Sequence, residues 1–385
     1  LDATTTSLAL GGLLVPVVHS SEYVTNLILG WEKSYTSDIG IDVSFLNNRI
    51  ELTADYYHTK TKDIIYARTM PSTMGGYTPN AYFKMNQNVC ETLNKGFELS
   101  VTSRNFVKKN FTWSTTLTLA TNKEEVVSIP GVEDGILVKT GTKDEAFIVG
   151  RPVKSYYGYK YAGIWQEDEA ELAALYGCKP GYVKVATDRL QKKEDGTYYY
   201  MKNGKETVAT DNNPMTYDSN DYQYIGQKSP KWSAGLQNTF TYKDFDFSFF
   251  LMARYGQTIN YDAIGFFDPS GKENSYAHFD YWTPENPNAY FPAVNSTLSR
   301  STYKGFGALN YVDGSYIKLK NVTLGYSLPK SVLSKVGINK FRVYTTISNP
   351  LVWAKEDLLK DYDPEMGGSI DFPLTRQFVF GVNVT

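Results

Sequence analysis

The chain has 385 residues and a formal net charge of −2, so no basic or acidic surplus points to a nucleic acid or to a polyanionic tail. Aromatic residues make up 15% of the chain, including 31 Tyr and 20 Phe, and they occur beside many Thr, Ser, Asn and Gly. This composition favours strands and turns over helices, and no apolar run reaches the roughly 18 residues of a transmembrane helix.

Alternating apolar and polar residues predict nine strands. In the first, SDIGIDVSFLNN, the residues Ile39, Ile41, Val43 and Phe45 share one face and polar residues occupy the other. A strand keeps such alternation when its two faces meet different media. The pattern recurs in RIELTADYYHT, NKGFELSVTS, FTWSTTLTLAT, KWSAGLQNTFTY, DFSFFLMARYG, YIKLKNVTLGYS, FRVYTTIS and RQFVFGVNVT. A weaker tenth strand is expected within residues 8–18.

The connections between these strands alternate between short and long. Short turns are expected near Asn47–Asn48, Arg104–Asn110 and Lys243–Asp244. A single helical turn is expected within PKSVLSKVGIN. Long connections are expected over residues 62–93, 122–229, 257–313 and 350–374.

This asymmetry of the connections points to a membrane barrel. Long structureless loops argue against a compact soluble domain, whereas a transmembrane β-barrel has short periplasmic turns and long extracellular loops. The predicted fold is therefore all-β, an antiparallel transmembrane β-barrel, in which a spanning strand needs roughly 9–11 residues. A soluble β-sandwich produces the same local alternation, because its apolar face forms the core, so that alternative stays open.

The run DGSYIKLKNVTLGYSLP changes phase in its middle. Ile317 and Leu319 are apolar on odd positions, whereas the apolar residues after Asn321 fall on even positions. A β-bulge inserts one residue and re-aims the side chains that follow, so a bulge near Lys320–Asn321 would keep Lys318 and Lys320 on the polar face. Without it both lysines would share the apolar face, where a charge costs roughly 2–4 kcal/mol at the bilayer midplane.

No catalytic or metal-binding pattern occurs in the sequence. It has no H-E-x-x-H, no G-x-S-x-G and no P-loop. The three histidines, His19, His58 and His278, are far apart and have no carboxylates at ligand spacing. Cys90 and Cys178 lack a C-x-x-C spacing and are expected to be unpaired. We therefore expect no enzyme, no catalytic residues, no metal and no cofactor.

Three carboxylates fall on the polar faces of predicted strands: Glu51, Asp55 and Glu98. In a barrel these faces line the lumen. The expected role of the carboxylates is to form a solvated wall or to pair with arginine, and a direct role in transport is the alternative.

Several motifs, in order, resemble the C-terminal part of SusC/RagA-type TonB-dependent outer-membrane transporters. The first, LGWEKSYTSDIGIDVSFLNNRIELTADYYHTKTKDII, carries Trp-Glu-Lys, Gly-hydrophobic-Asp and Asn-Arg before a Tyr-Tyr strand end. It is followed by NKGFELSV, GRPVKSYYGYKYAGIWQEDEAE, IGQKSPKWSAGLQNTFTYKDFDFSFFL, YWTPENPNAYFPAV, DGSYIKLKNVTLGYSLP, DYDPE and FPLTRQFVFGVNV. The resemblance covers the chain from about Asn26 to its end. The acidic, Gly-containing stretch that the family carries after Gly-Ile-Trp-Gln is not matched, so no metal site is carried over.

The resemblance implies a barrel of about 22 strands around a plug, which nine or ten strands cannot close. We therefore expect residues 37–385 to be the C-terminal portion of the barrel, and residues 1–36 to be a poorly matched lead-in with one strand plus a loop. The plug domain and the TonB box are expected to be absent from this chain. An open edge in lipid leaves backbone groups unpaired, so the remainder of the same barrel is an expected partner. Nine strands place the C-terminus on the periplasmic side of the bacterial outer membrane and the long loops outside.

The resemblance further implies active import of glycans or peptides. The expected partners are a SusD-like surface lipoprotein that acts as a lid, TonB through the missing N-terminal part, outer-membrane lipid, and an oligosaccharide or peptide substrate. No nucleic acid is expected. Two alternatives stay open, namely a soluble all-β binding or adhesin module and a passive porin.

Aromatic residues in two predicted loops are the candidate substrate-binding residues. They are Tyr157, Tyr161 and Trp165 in SYYGYKYAGIW, and Tyr281 and Trp282 in FDYWTPENPNAYF. Aromatic faces beside amides and acids suit sugars or peptides, because the ring covers apolar C–H surface while polar groups pair with hydroxyls or amides. The alternative for each residue is packing within the loops, or against the plug or the lid lipoprotein.

Overall fold

The computed structural model describes residues 4–10, 12–19, 23–70, 77–78, 81–82, 84–138, 145–276, 279–334 and 337–385. The candidate His278 lies outside the described residues. The chain divides into two compact units. The first unit comprises Leu1–Ile39, Tyr56–Gly96 and Lys123–Ser155. The second unit comprises Gly40–Asp55, Phe97–Asn122 and Tyr156–Thr385.

Nine long strands form one sheet, in which neighbours along the chain are also neighbours in the sheet. They are β1 Lys33–Phe45, β2 Ile50–Thr69, β3 Lys84–Lys108, β4 Phe111–Ser128, β5 Trp232–Tyr242, β6 Phe245–Tyr255, β7 Tyr316–Ser327, β8 Phe341–Ala354 and β9 Gln377–Val384. The pairs from β4 to β9 are antiparallel. The prediction of nine strands in this order is confirmed. Within the part of the chain that the structure describes, the strands do not close this sheet into a barrel.

The short connections lie where the sequence predicts them. The β1–β2 turn contains Leu46, Asn47 and Asn48, all with positive φ between 53° and 62°. Lys243, with a φ of 53°, opens the β5–β6 turn. The predicted helical turn between β7 and β8 is helix α2, Lys330–Leu333.

The long connections differ from the prediction in extent and in order. Strand β2 continues to Thr69 and β3 begins at Lys84, so the connection predicted at 62–93 begins later and ends earlier. Strand β4 continues to Ser128, so the connection predicted at 122–229 begins later. These strand ends carry charges on both faces, so a search for apolar alternation does not detect them. They still form strands because backbone pairing does not require an apolar face. The connections are also folded. They contain helix α1, Ala170–Leu175, and the short strands Ile136–Val138, Glu145–Ile148, Ser155–Gly158, Tyr161–Ile164, Val183–Val185, Gln191–Lys192, Tyr198–Lys202, Lys205–Val208, Gln223–Gln227, Thr258–Asn260 and Tyr311–Asp313.

The lead-in contains two strands where one was expected. Thr4–Leu10 and Leu13–His19 pair as an antiparallel hairpin. Gly12 turns the chain with a φ of 85°, a conformation that glycine adopts without steric cost. Tyr23–Val24 then pairs with the start of β3 in parallel.

One face of the sheet is apolar and exposed. On β1, Ile39 is 75% and Ile41 57% exposed, and on β9, Phe380 is 80% and Val382 58% exposed. Exposed apolar patches on soluble monomers rarely exceed a few hundred Å². This face therefore requires an apolar medium or a partner. No helix among the described residues is long and apolar enough to cross a membrane.

The opposite face is polar and internally paired. Thr323 and Thr346 share a hydrogen bond of 2.9 Å across β7 and β8. The Arg342 guanidinium donates to both carboxylate oxygens of Asp246, at 2.9 and 2.6 Å. A Cβ at Gly325 would come within 2.5 Å of the guanidinium, so a larger residue there would displace the two side chains of the pair.

Candidate functional site

The segments between the strands of the second unit fold into a module with its own apolar core. We call residues 156–231, 256–315 and 355–376 the loop module. Its core includes Ile264, Phe291, Leu309 and Leu359, each fully buried. The core holds the surrounding polar segments in fixed positions, as a binding surface requires.

Two of the predicted aromatic residues are part of this core. Trp165 is 2% exposed, and its ring lies 5.4 Å from the ring of Tyr176. The Lys184 ammonium lies 4.5 Å from the centre of the Trp165 ring. Trp282 is 7% exposed, and its indole N–H donates to Gln166 Oε1 at 3.0 Å. Both rings are therefore enclosed by the protein in this structure.

The other three aromatic residues lie nearer the surface. The Tyr161 hydroxyl donates to the Tyr290 carbonyl at 3.1 Å. Burial, and to a smaller extent the negative charge of Asp280, raises the pKa of Tyr161 to about 12. Tyr157 is half-buried and meets the Tyr222 ring edge-on at 5.9 Å. Tyr281 is 50% exposed. Because Trp165 and Trp282 are buried in the core, the five rings do not all face one open cavity.

A cavity of about 470 Å³ lies between the loop module and strand β8. Asn349 and Val352 contribute from β8, and the remaining walls come from residues 261–276 and 360–376. The rings of Tyr261 and Tyr362 pack 4.8 Å apart at this site. We call it the tyrosine cavity. Its volume is in the range of small-molecule binding sites. The sequence pattern did not single out these residues as candidates for substrate binding.

A buried ion cluster joins the same segment to strand β7. The Lys318 ammonium, whose side chain is 1% exposed, donates to Asp363 at 2.5 Å and to Glu365 at 2.6 Å. Lys320 donates to the other oxygen of Glu365. Asp363 also caps the short helix Pro364–Met366 by accepting the Glu365 backbone N–H. The cluster therefore fixes the loop that forms one wall of the tyrosine cavity.

The predicted bulge is present where these lysines lie. Phe250 of β6 pairs with Asn321, but the next residue, Leu251, pairs with Leu319, so β6 skips Lys320. On the other side β8 also changes register between its partners of Leu319 and Asn321. The bulge keeps both lysines on the face where their carboxylate partners lie, as the sequence predicts.

The cluster gives the loop a dependence on pH. Burial raises the pKa of Glu365, but hydrogen bonds from Lys318 and Lys320 outweigh it and hold the pKa below its usual value. A carboxylate with a depressed folded pKa contributes stability that is present above its unfolded pKa, about 4.3, and lost as pH falls through the folded value. We expect protease cleavage within residues 355–376 to accelerate below about pH 4.3 in the wild type, measured with an acid protease.

The matched control for this pH effect is Glu365→Gln, whose side chain does not titrate. In this variant the loop should already be less stable at neutral pH, and its rate of cleavage should depend less on pH. Equal dependence in the two proteins would assign the transition to another group.

Two carboxylates of the polar face have no ionic partner among the described residues. Asp55 and Glu98 line a depression of about 410 Å³ together with Gly235 and Phe250. Neither forms an ion pair with a residue that the structure describes, so pairing with arginine within this chain is not observed for them. Glu51 does pair, with Arg104 at 3.3 Å.

The two cysteines occupy the interior of the protein. Cys90 and Cys178 are each 3% exposed. Burial raises the pKa of the Cys178 thiol to about 11. Within the described residues, no group of three His, Cys, Asp or Glu side chains is arranged to hold a metal.

Comparisons with known proteins agree with this architecture. Residues 16–349 match the family model described as "TonB dependent receptor-like, beta-barrel". The chain is 31% identical over 386 residues to TonB-dependent receptor P3 of Formosa agariphila, covering 92% of this chain and 34% of the relative. It is 28% identical over 371 residues to TonB-dependent receptor SusC of Bacteroides thetaiotaomicron, covering 92% of this chain and 32% of the relative.

A solved structure matches the fold over the whole chain. The structure of the RagAB peptide transporter superposes with a TM-score of 0.74 at 21% identity, and the match covers 100% of this chain and 38% of that chain. The chain therefore spans about a third of the length of the relatives that it matches.

Proposed function

Because the chain belongs to the TonB-dependent receptor-like β-barrel family, we propose that it supplies nine wall strands and the loop module of an outer-membrane importer of glycans or peptides. Proteins of this SusC and RagA type are outer-membrane β-barrels for transport. The observation that carries the proposal is the nine-strand sheet, with one exposed apolar face and one polar face, matched along its whole length to a barrel transporter.

The proposed orientation follows from the two faces and the connections. The apolar face meets lipid and the polar face lines the lumen, as in transmembrane barrels. The short turns and the C-terminus lie on the periplasmic side, and the loop module lies outside the cell. The lengths of the connections support this direction, because barrels of this class carry their long loops extracellularly.

A lysine on the apolar face should destabilise the protein far more than one on the polar face. Leu117 is 39% exposed on the apolar face and pairs with Leu236, near the middle of β4. We expect Leu117→Lys to cost roughly 2–4 kcal/mol in the unfolding free energy of the full-length protein in vesicles. The matched control is the neighbouring Thr116, which faces the other way and bonds Thr102 at 3.1 Å. An equal or larger loss for Thr116→Lys would reverse the assignment of the faces.

The proposed partners act at the two ends of the barrel. TonB engages a part of the full-length protein outside this chain and supplies energy for transport. A SusD-like lipoprotein covers the loop module from outside. The solved relative is described as the RagAB peptide importer, and the RagA and SusC relatives support a partner of this kind.

The loop aromatics divide into two proposed roles. Tyr157 and Tyr281 remain accessible and are proposed to contact the substrate or the lipoprotein lid. Trp165 and Trp282 support them from the core, and we assign Tyr161 to the same supporting role because its hydroxyl is engaged in a partly buried hydrogen bond. The tyrosine cavity is proposed to form part of the substrate path, since it opens beside the polar face at Val352.

The test uses the full-length protein in its own outer membrane. A tagged copy should require detergent for extraction and should copurify with one SusD-like lipoprotein in equal amount. Uptake of labelled oligosaccharides or peptides by the cells should stop when TonB is deleted. Extraction without detergent would favour the soluble binding module, and uptake that persists without TonB would favour the passive porin.

A further inference from the structure

The tyrosine cavity carries an excess of unpaired positive charge. The side chains of Lys360 and Arg376 line it, and both are exposed. Neither forms an ion pair or a side-chain hydrogen bond with any residue that the structure describes. The carboxylate of Asp361 is likewise unpaired, so the free charges of the cavity are two cations and one anion.

The other acid that lines the cavity, Asp363, is already paired, and so is its neighbour Glu365. Asp363 accepts from Lys318, and Glu365 accepts from both Lys318 and Lys320, so two lysines face two carboxylates. Among the residues that line the cavity, a ligand therefore meets two unpaired cations, Lys360 and Arg376, and one unpaired anion, Asp361. Unpaired ions can remain solvated here because the cavity is open, but they are positioned on a loop that the ion cluster fixes.

The cavity also offers aromatic surface beside these cations. Tyr261, Tyr276 and Tyr362 contribute rings, and the Tyr362 hydroxyl is engaged with the Ser369 carbonyl at 2.8 Å and with the Gly368 N–H at 2.8 Å. Those bonds fix the orientation of the ring. An aromatic ring held beside an arginine suits a ligand that joins an apolar face to an anionic group.

We propose that the tyrosine cavity binds the carboxylate of an oligomeric substrate between Lys360 and Arg376, with the adjoining residue of that substrate against the tyrosine rings. The inference rests on the proposed import function and narrows its substrate to a carboxylate-bearing oligomer. Arginine binds carboxylates through two parallel hydrogen bonds, and lysine adds a point charge. The carboxylate can belong to a uronic-acid oligosaccharide or to the C-terminus of a short peptide.

The test measures binding by the full-length protein, purified in detergent with its lipoprotein. The probes are an oligogalacturonate and its methyl ester, and an alanine oligopeptide and its C-terminal amide. At least one free carboxylate should bind about ten-fold or more tightly than its blocked partner, and raising the salt concentration should weaken that binding. A preference for the free oligogalacturonate would identify a uronic acid as the ligand, and a preference for the free peptide would identify a peptide C-terminus.

The variants locate the binding. The double variant Lys360→Gln with Arg376→Gln should lose about ten-fold or more in affinity for the carboxylate probe and nothing for its blocked partner. Lys202→Gln, an exposed lysine outside the cavity, is the matched control and should bind like the wild type. The inference is overturned if no carboxylate probe is preferred, or if the double variant binds as tightly as the wild type. TonB-dependent uptake of any oligomer by the cells would then still leave the proposed import function standing.

Discussion

Replacing Lys318 with methionine is expected to lower the free energy of unfolding by about 3–5 kcal/mol. The side chain is 1% exposed, and its ammonium holds two carboxylates whose side chains are 15% and 17% exposed. Methionine fills a similar volume but leaves Asp363 without a cation, and leaves Glu365 with Lys320 alone. An uncompensated buried carboxylate must either stay charged at high cost or take up a proton. The measurement is denaturant unfolding of the full-length protein in vesicles, followed by tryptophan fluorescence.

Two further variants separate lost charge from lost packing. Lys320→Met should cost less, because Lys320 is 31% exposed and Glu365 keeps its bond to Lys318. The triple variant Lys318→Met, Asp363→Asn, Glu365→Gln removes the stranded charges and should recover a large part of the loss. If the triple variant is as unstable as Lys318→Met alone, the effect comes from packing. A loss below about 1 kcal/mol for Lys318→Met would refute the ionic interpretation.

The strand pattern predicts which face Lys318 occupies but not what meets it there. Alternation has a period of two, so the phase change after Lys320 is visible in the sequence, and the bulge follows from the cost of placing a lysine in lipid. The partners of Lys318 lie 45 and 47 residues later, beyond strand β8. No local rule selects that loop over the other long connections. The motif DYDPE that carries the partners is quoted in the resemblance, yet only the folded chain joins it to the lysines.

The loop aromatics mark the second limit of the sequence pattern. Trp165 and Tyr281 both occur in polar, Gly-containing connections and look alike as candidates for substrate contact. Their exposures are 2% and 50%. The difference arises because Trp165 packs against Tyr176, which helix α1 presents from its C-terminal end, and because Lys184 covers the ring. Connections that fold into a module have their own core, and the residues of that core do not follow a strand period.

A second large effect is expected at Gly368, where two backbone segments that are distant in the sequence touch. This residue has a φ of 107°, and a Cβ there would lie 1.9 Å from the Asn260 carbonyl oxygen. Its own carbonyl accepts the Asp262 N–H at 3.0 Å, and its N–H donates to Tyr362. The atoms that a methyl group would meet all belong to the backbone of Asn260. The two backbone segments must therefore separate to admit it. We expect Gly368→Ala to cost about 3 kcal/mol or more, since backbone strain at positive φ and overpacking each cost about 1–3 kcal/mol.

The neighbouring glycine provides the matched control for Gly368→Ala. Gly367 has a φ of 69°, and a Cβ there would meet nothing within 4 Å. Gly367→Ala should therefore cost only the backbone strain, about 1–2 kcal/mol. Limited proteolysis between residues 355 and 376 should expose the difference, because separation from Asn260 frees the wall of the tyrosine cavity while the nine strands stay paired. Equal cleavage rates in the two variants would mean that the contact with Asn260 does not hold this loop, and that the ion cluster at Lys318 holds it alone.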